Sequence, residues 1–322
     1  MQQLARIGQL LRVCCAVVGL TIAGAATVGA QTAAGPYEIR LDLQEGRTYE
    51  LATRVTSLVE QSLMGMNVKI GQDMSLTYRY RVVDVDRNGA MRLEVTYDSV
   101  VMTMDIDTPE VPAEQREAVN RELNESMLRT TKLIEGASFT VTARPNGEIV
   151  STEGTDALTE QIFATLPDDP AGQQARDVIA GMISPETFNQ SWEYMFSYLP
   201  TRPVSIGDSW ERSFTMNQGM EMNVTAIYRL ESVSDGELVI NTEGTVVGGG
   251  LGGGPLAQFE AEGIAFELSM GGTQSGTMRV DAQTGWVVAQ RLTMDASGEV
   301  VLSIEGQSLQ IPMQIEVDWT TN

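Results

Sequence analysis

Residues Asp84–Gly89 read DVDRNG. Carboxylate or amide side chains at alternate positions, followed by glycine, are how a calcium-binding EF-hand loop begins. Such a loop needs a bidentate glutamate at its twelfth position. Counting from Asp84, that position is Val95, inside a stretch with strand character. Asn88-Gly89 is also a favoured corner of a two-residue hairpin. A hairpin turn without metal is therefore the expectation. Three Met-x-Met pairs, Met64/Met66, Met102/Met104 and Met220/Met222, offer soft thioethers of the kind that hold Cu(I). Residues two apart on a strand share one face, and no His or Cys accompanies these pairs, so core packing or cavity lining is expected. Two opposed carboxylates can hydrolyse a glycoside, but no spacing among the acidic residues singles out a pair. GGGLGGGP (248–255) lacks the Lys-Ser/Thr of a phosphate loop and reads as a flexible connection.

The chain has no His, and its two cysteines are Cys14 and Cys15. Both fall in a segment expected to be removed. Arg6 and Arg12 precede an apolar stretch from Val13 to about Ala26, and Val28 and Ala30 suit a signal-peptidase cut before Gln31. The apolar stretch is short for a membrane span, which takes ~20 residues. Residues 1–30 are thus expected to be a signal peptide. The mature chain would be exported to the periplasm or the outside, with no transmembrane segment, thiol or disulfide. Without His or Cys it lacks an imidazole base, a thiolate nucleophile, a His-containing zinc site and a haem ligand. No catalytic residue, cofactor or metal site is expected; carboxylate-only chemistry stays open.

The formal net charge is −22, and loss of Arg6 and Arg12 makes it two units more negative. Such a surface repels phosphate backbones and anionic headgroups, which disfavours nucleic acid and simple membrane-surface binding. Seventeen methionines, Met1 included, are many for a chain of this kind. Met is unbranched and adapts to irregular shapes, so Met-rich walls suit an interior that accepts a guest.

The elements that would position these residues are mostly strands. Met74, Leu76, Tyr78, Tyr80 and Val82 alternate with polar residues, as do Met91, Leu93, Val95 and Tyr97. The apolar phase then shifts to Val100, Met102, Met104 and Ile106, which predicts a bulge near Ser99. Leu309 to Trp319 alternates too, but Pro312 cannot donate to a ladder, so an edge strand or bulge is expected there. Helical patterns interrupt the strands. Residues 112–133 carry a thin stripe, Val119, Leu123 and Met127. Further helices are expected over Thr155–Leu166, over Ala171–Ile183, and after Ser184-Pro185, an N-cap followed by proline at the first helical position. The last is the most apolar, with Phe188, Trp192, Met195 and Leu199.

The chain also repeats itself. Asp73–Val101 resembles Glu221–Val247, Gly136–Val150 resembles Gln274–Val288, and GRTYE at Gly46 resembles GDSWE at Gly207. The same order in both halves reads as a tandem duplication. The expected organisation is a first β half over 36–154 with the inserted helix 112–133, a helical connector over 155–200, and a second β half over 201–322. TRPVSIGDSW (201–210) reads as the joint between them.

YLPTRPVSIGDSW (198–210) and QTGW (283–286) resemble a group of exported bacterial proteins catalogued only as a domain of unknown function. The shared look is Tyr-Leu-Pro, Pro-Val, Gly-Asp-x-Trp and a later Gly-Trp turn. The resemblance implies no activity. More loosely, many antiparallel strands with inserted helices look like periplasmic lipoprotein carriers, unclosed barrels whose helices lid an apolar hollow; that likeness is architectural only.

A mainly β fold with inserted helices follows. About eleven or twelve strands form a curved antiparallel sheet or open barrel, internally duplicated and packed on the Phe188–Leu199 helix, because so wide a sheet cannot leave its apolar face wet. The functional expectation is an exported, non-enzymatic binding or carrier protein for an apolar ligand such as a lipid or acyl chain. Met102, Met104, Trp192, Met195 and Phe196 are the candidate cavity lining; the alternative that they are plain core stays open. The other readings are a structural or interaction module of the cell envelope with a packed interior, and a carboxylate-dependent hydrolase. The residues point to no particular protein partner.

Overall fold

The computed structural model describes residues 35–63, 66–217, 220–251, 265–304 and 307–322. The expected signal segment, Met64 and residues 252–255 lie outside them. Eleven strands and four helices follow one another: β1 (Thr48–Leu63), β2 (Met66–Val85), β3 (Met91–Asp107), α1 (Ala113–Thr131), β4 (Ser138–Ala143), β5 (Ile149–Glu153), α2 (Thr155–Phe163), α3 (Pro170–Ile183), α4 (Pro185–Met195), β6 (Ser209–Asn217), β7 (Met220–Ser234), β8 (Glu237–Leu251), β9 (Ala265–Asp281), β10 (Val287–Ile304) and β11 (Gln307–Thr321). All strands join one curved, unclosed antiparallel sheet in the order β5-β4-β3-β2-β1-β11-β10-β9-β8-β7-β6.

The first five strands and the next five therefore run round the sheet in the same sense, with β11 between them. The correspondence extends to single hydrogen bonds. Gly46 N–H donates to Val82 O (2.9 Å) and Val82 N–H to Arg47 O (2.9 Å). In the second half Gly207 N–H donates to Leu230 O (2.7 Å) and Leu230 N–H to Asp208 O (3.1 Å). The register of β2 on β3 slips between Val82 and Asp84, and that of β7 on β8 between Leu230 and Ser232, at the matching residues. Gly147 and Gly285 close the matching β4–β5 and β9–β10 turns, both with positive φ (85° and 64°).

DVDRNG is a turn, as expected, but a wider one than a two-residue hairpin. Asp86 N–H bonds to Ala90 O, Gly89 takes φ +82°, and the Asp86 carboxylate accepts from Asn88 N and Ala90 N at 2.8 Å each. The carboxylate that a calcium ion would need is occupied by its own backbone. The predicted bulge in β3 is present: Thr77 pairs with Ser99 and Tyr78 with Tyr97, leaving Asp98 extra.

One expectation is corrected. The Pro312 strand, β11, is not an edge strand; it lies between β1 and β10. The ladder to β1 ends at Gln61–Met313, so at Pro312 the strand has a paired neighbour on one side only, and the proline is tolerated locally as on an edge. Of the α1 stripe, Val119 is exposed while Leu123 and Met127 are half-buried. The helix meets the sheet instead through amides. β4 pairs with β3 only as far as Thr96, which leaves the rest of that edge open. Asn124 Oδ1 accepts from Met104 N (2.7 Å) and its Nδ2 donates to Met104 O (2.8 Å); Asn120 does the same for Ile106 (3.0 and 3.2 Å). Two asparagines thus mimic one more strand on an edge that would otherwise invite another chain.

α4 bridges the two free edges of the sheet, packing on both β5 and β6. Ser184 Oγ accepts from Thr187 N (3.1 Å) and Pro185 follows, the cap read in the sequence. Phe188, Trp192, Met195 and Phe196 are buried in the core with Tyr78, Tyr80, Leu93, Val95 and Tyr97 of the first half and Val224, Tyr228, Leu230 and Ile240 of the second. Ring contacts run from Phe139–Phe188 (4.7 Å) through Trp192–Phe196 (4.4 Å) to Phe196–Trp286 (5.5 Å), and Tyr194 of α4 reaches Phe214 and Trp319 (5.2 and 4.8 Å). The same end of the sheet is closed by the segment leading into β1. Its Ile39, Leu41 and Leu43 are buried, and Leu41 N–H and Asp42 N–H bond to Pro145 O and Thr284 O of the two matching turns.

Candidate functional site

The strand register assigns side chains to the inner face. From the row Leu51–Tyr78–Tyr97 beneath α4, the same phase continues along the strands to Val55–Met74–Met102, then Gln72–Met104, then Val59–Ile70–Ile106. Leu51, Tyr78 and Tyr97 are buried. Beyond them Val55, Ile70, Met74, Met102, Met104 and Ile106 are only half-buried, although all point inward. At the base of this stretch Val55, Tyr194, Leu292, Met294, Val317 and Trp319 enclose a small void of ≈ 30 Å³. Further round the sheet the inner face alternates large and small, Met222–Gly248–Met270–Gly298–Met313. A Cβ on Gly298 would stand 2.0 Å from Ser269 O and 2.8 Å from Met270 Cγ, so the methionines fill the room that the glycines leave. The first three glycines of 248–255 thus belong to strand β8 rather than to a loop.

The structure divides the five candidate lining residues. Met102 and Met104 lie on the half-covered inner face of β3. Met195 is core. Trp192 and Phe196 are core from one side and from the other form the floor of a second feature, an open cleft of ≈ 400 Å³ where α4 fills the seam between the β4–β5 turn and β6. Gly147, Ile149, Leu199 and Arg212 also border it. The Trp192 indole is fixed by donation to Gly147 O (2.8 Å). Sequence reasoning missed Val55, Ile70 and Met74 as lining, and Arg212 altogether. Yet Arg212 falls in phase with Trp210 and Phe214, a cation on the apolar phase of a strand, which is a legible signal.

The interior chemistry is phenolic rather than acidic. Among the described residues no Asp or Glu is buried, and no group of three or more His, Cys, Asp or Glu is placed to hold a metal. Burial pushes the Tyr97 hydroxyl up to about 12 and that of Tyr228 also to about 12; it raises Tyr78, Tyr80, Tyr194 and Tyr198 as well. Tyr97 OH donates to Met182 O (3.2 Å), and Tyr228 OH shares a 2.6 Å bond with Ser197. Tyr80 OH and Gln274 Oε1 are buried without a partner. Groups this hard to ionise are poor bases at neutral pH.

The stretches around YLP, GDSW and TGW meet in space. Tyr198 OH donates to Gly285 O (2.5 Å), and the Trp210 indole donates to Tyr198 O (2.9 Å). Their arrangement is structural: it locks the exit of α4 to the turns of both halves. The fold and these two hollows define a half-barrel wrapped about a helical plug. The chain matches the model of a Family of unknown function (DUF6263) over residues 88–287, and it belongs to that family. The matched region contains the four described helices, Met102 and Met104 of β3, and Arg212. No curated protein matches the chain. Among the described residues no helix is long and apolar enough to cross a membrane.

Proposed function

We propose that this chain is an exported, non-enzymatic binding or carrier protein whose ligand is an acyl chain or similar apolar molecule. One observation carries the reading: six inward-facing apolar residues on β1, β2 and β3 are left half-covered where the α4 plug ends. Apolar surface left wet costs ~25 cal/mol per Å², and a concave apolar face of this kind is the usual place for a hydrophobic ligand. Val55, Met74, Met102 and Met104 would hold the chain. Methionine walls accept guests of differing shape without a fixed pattern of polar contacts. Trp192, Met195 and Phe196 are buried in the core around α4, and Tyr194 and Trp319 rather than these close the base of this face. The filled aromatic core around α4 favours a second reading, a packed module of the cell envelope that works through its acidic exterior. The hydrolase reading gains nothing, since no buried carboxylate pair is found among the described residues.

The two readings separate on binding of a fluorescent long-chain fatty acid to the purified protein. A carrier takes up the probe, and Met102→Glu, which sets a charge on the half-covered face, weakens uptake at least tenfold while the circular dichroism spectrum is unchanged. Absence of uptake by the wild-type protein would leave the packed module standing.

A further inference from the structure

The seam cleft carries a second, chemically distinct site, and the inference drawn from it does not rest on the acyl-chain proposal. The chain has two acidic residues for every basic one, and most of its cations have found a carboxylate. Thirteen ion pairs are formed on the described surface, from Arg40–Glu38 to Arg279–Glu237. Among the described residues Arg47, Arg87, Arg121, Arg129 and Arg291 have no ion pair, and each is exposed to water. Arg212 also has none, but it is half-buried, on the inner phase of edge strand β6, and it borders the ≈ 400 Å³ cleft. Its neighbour in register is Ala226, too small to cover it.

A half-desolvated guanidinium without an anion is unfavourable, and a planar donor fork suits a carboxylate. The surroundings say what the rest of the ligand must be. Half-exposed Ile149 supplies apolar surface above a base of buried Trp192, Phe196 and Leu199, and the volume falls in the range of small-molecule sites. The acidic groups nearby do not replace the missing anion. Glu148 is held by Arg144 at 2.6 Å, and Glu193 stands exposed on the rim. We infer that the cleft binds a small monocarboxylate with an apolar body, its carboxylate on Arg212 and its body against Ile149, over the buried Trp192 and Phe196.

Calorimetric titration of the full chain with octanoate and with 1-octanol tests this. Octanoate should bind the wild-type protein at least tenfold more tightly than the neutral alcohol. Arg212→Gln should weaken octanoate at least tenfold and leave octanol unchanged. Glu193→Trp, which fills the cleft from its exposed rim, should also weaken octanoate. Arg291→Gln, an exposed and equally unpaired arginine, should behave as wild type. Because octanoate is a short fatty acid that the inner face could also take, the Arg212→Gln comparison is made in the Met102→Glu background, where that face is blocked. Octanoate binding that survives Arg212→Gln there, an equal loss in Arg291→Gln, or no octanoate binding in the Met102→Glu background would each overturn the assignment. The long-chain probe on the wild-type chain reads the inner face, so failure there and failure here are separable.

Discussion

Tyr80 and Tyr198 are both fully buried, and they predict opposite outcomes. The Tyr80 hydroxyl has no partner, so it was dehydrated on folding with nothing in return. Tyr80→Phe should be neutral or stabilise by up to about 1 kcal/mol. The Tyr198 hydroxyl donates to Gly285 O in the turn of the second half. Tyr198→Phe leaves that carbonyl unpaired and should cost about 1–3 kcal/mol. Urea denaturation of the two variants measures both. The buried phenols also set the alkaline limit of the fold. Six of the eight tyrosines are raised by burial. An unfolded tyrosine ionises near ~10, whereas Tyr97 and Tyr228 in the folded chain wait until about 12. Above pH ~10 the unfolded state binds fewer protons than the folded one, so stability is whole below that pH and falls as pH rises towards 12. Tyrosinate absorbance at 295 nm should therefore rise for most of the tyrosines in one step together with loss of the near-ultraviolet circular dichroism. A gradual rise with the fold intact would contradict the burial.

At the scale of elements, what could be read in the sequence was local. The Ser184 cap, Pro185 and the Phe188–Trp192–Met195 spacing all reside within one turn or two, and α4 forms as they direct. The β3 bulge shows as a change of apolar phase. What could not be read depends on neighbours far along the chain. Pro312 implies an edge, yet whether it has one turns on where β1 stops, some 250 residues earlier. The α1 stripe suggests apolar packing, but the demand that decides its orientation is the open edge of β3, which exists because β4 is short. Asn120 and Asn124 answer that demand. Replacing both with alanine frees two N–H and two C=O groups on a partly covered edge. The double variant should lose about 1–3 kcal/mol in urea denaturation and should scatter light at concentrations where the wild type does not, because the edge becomes available to another chain. Unchanged stability and solubility would show that water serves that edge as well. The candidate site divides in the same way. The parity that turns Met102, Met104 and Arg212 inward is present in the sequence, but how far the helices reach over that face is not, so only the fold separates Met102 and Met104 from Trp192, Met195 and Phe196.

At the scale of the whole molecule, two similar five-strand meanders are joined side by side through β11 and held by a single helix that touches both free edges. One end of the inner face is sealed by α4 and by Ile39, Leu41 and Leu43; at the other, Leu268, Met270, Val300 and Ile311 of β9–β11 are buried together, while Val55, Ile70, Met74, Met102, Met104 and Ile106 of β1–β3 stay half-covered. The proposed carrier role rests on that asymmetry. If it is right, affinity for saturated fatty acids should climb with chain length. Each methylene moved from water onto the inner face adds about 0.8 kcal/mol at most, until the face is filled and the rise stops. The most direct measurement is native mass spectrometry of the protein purified from its own host. A bound mass in the range of an acyl lipid is expected, reduced or absent in Met102→Glu. A bare polypeptide mass under gentle ionisation, with no uptake of added fatty acid, would contradict it.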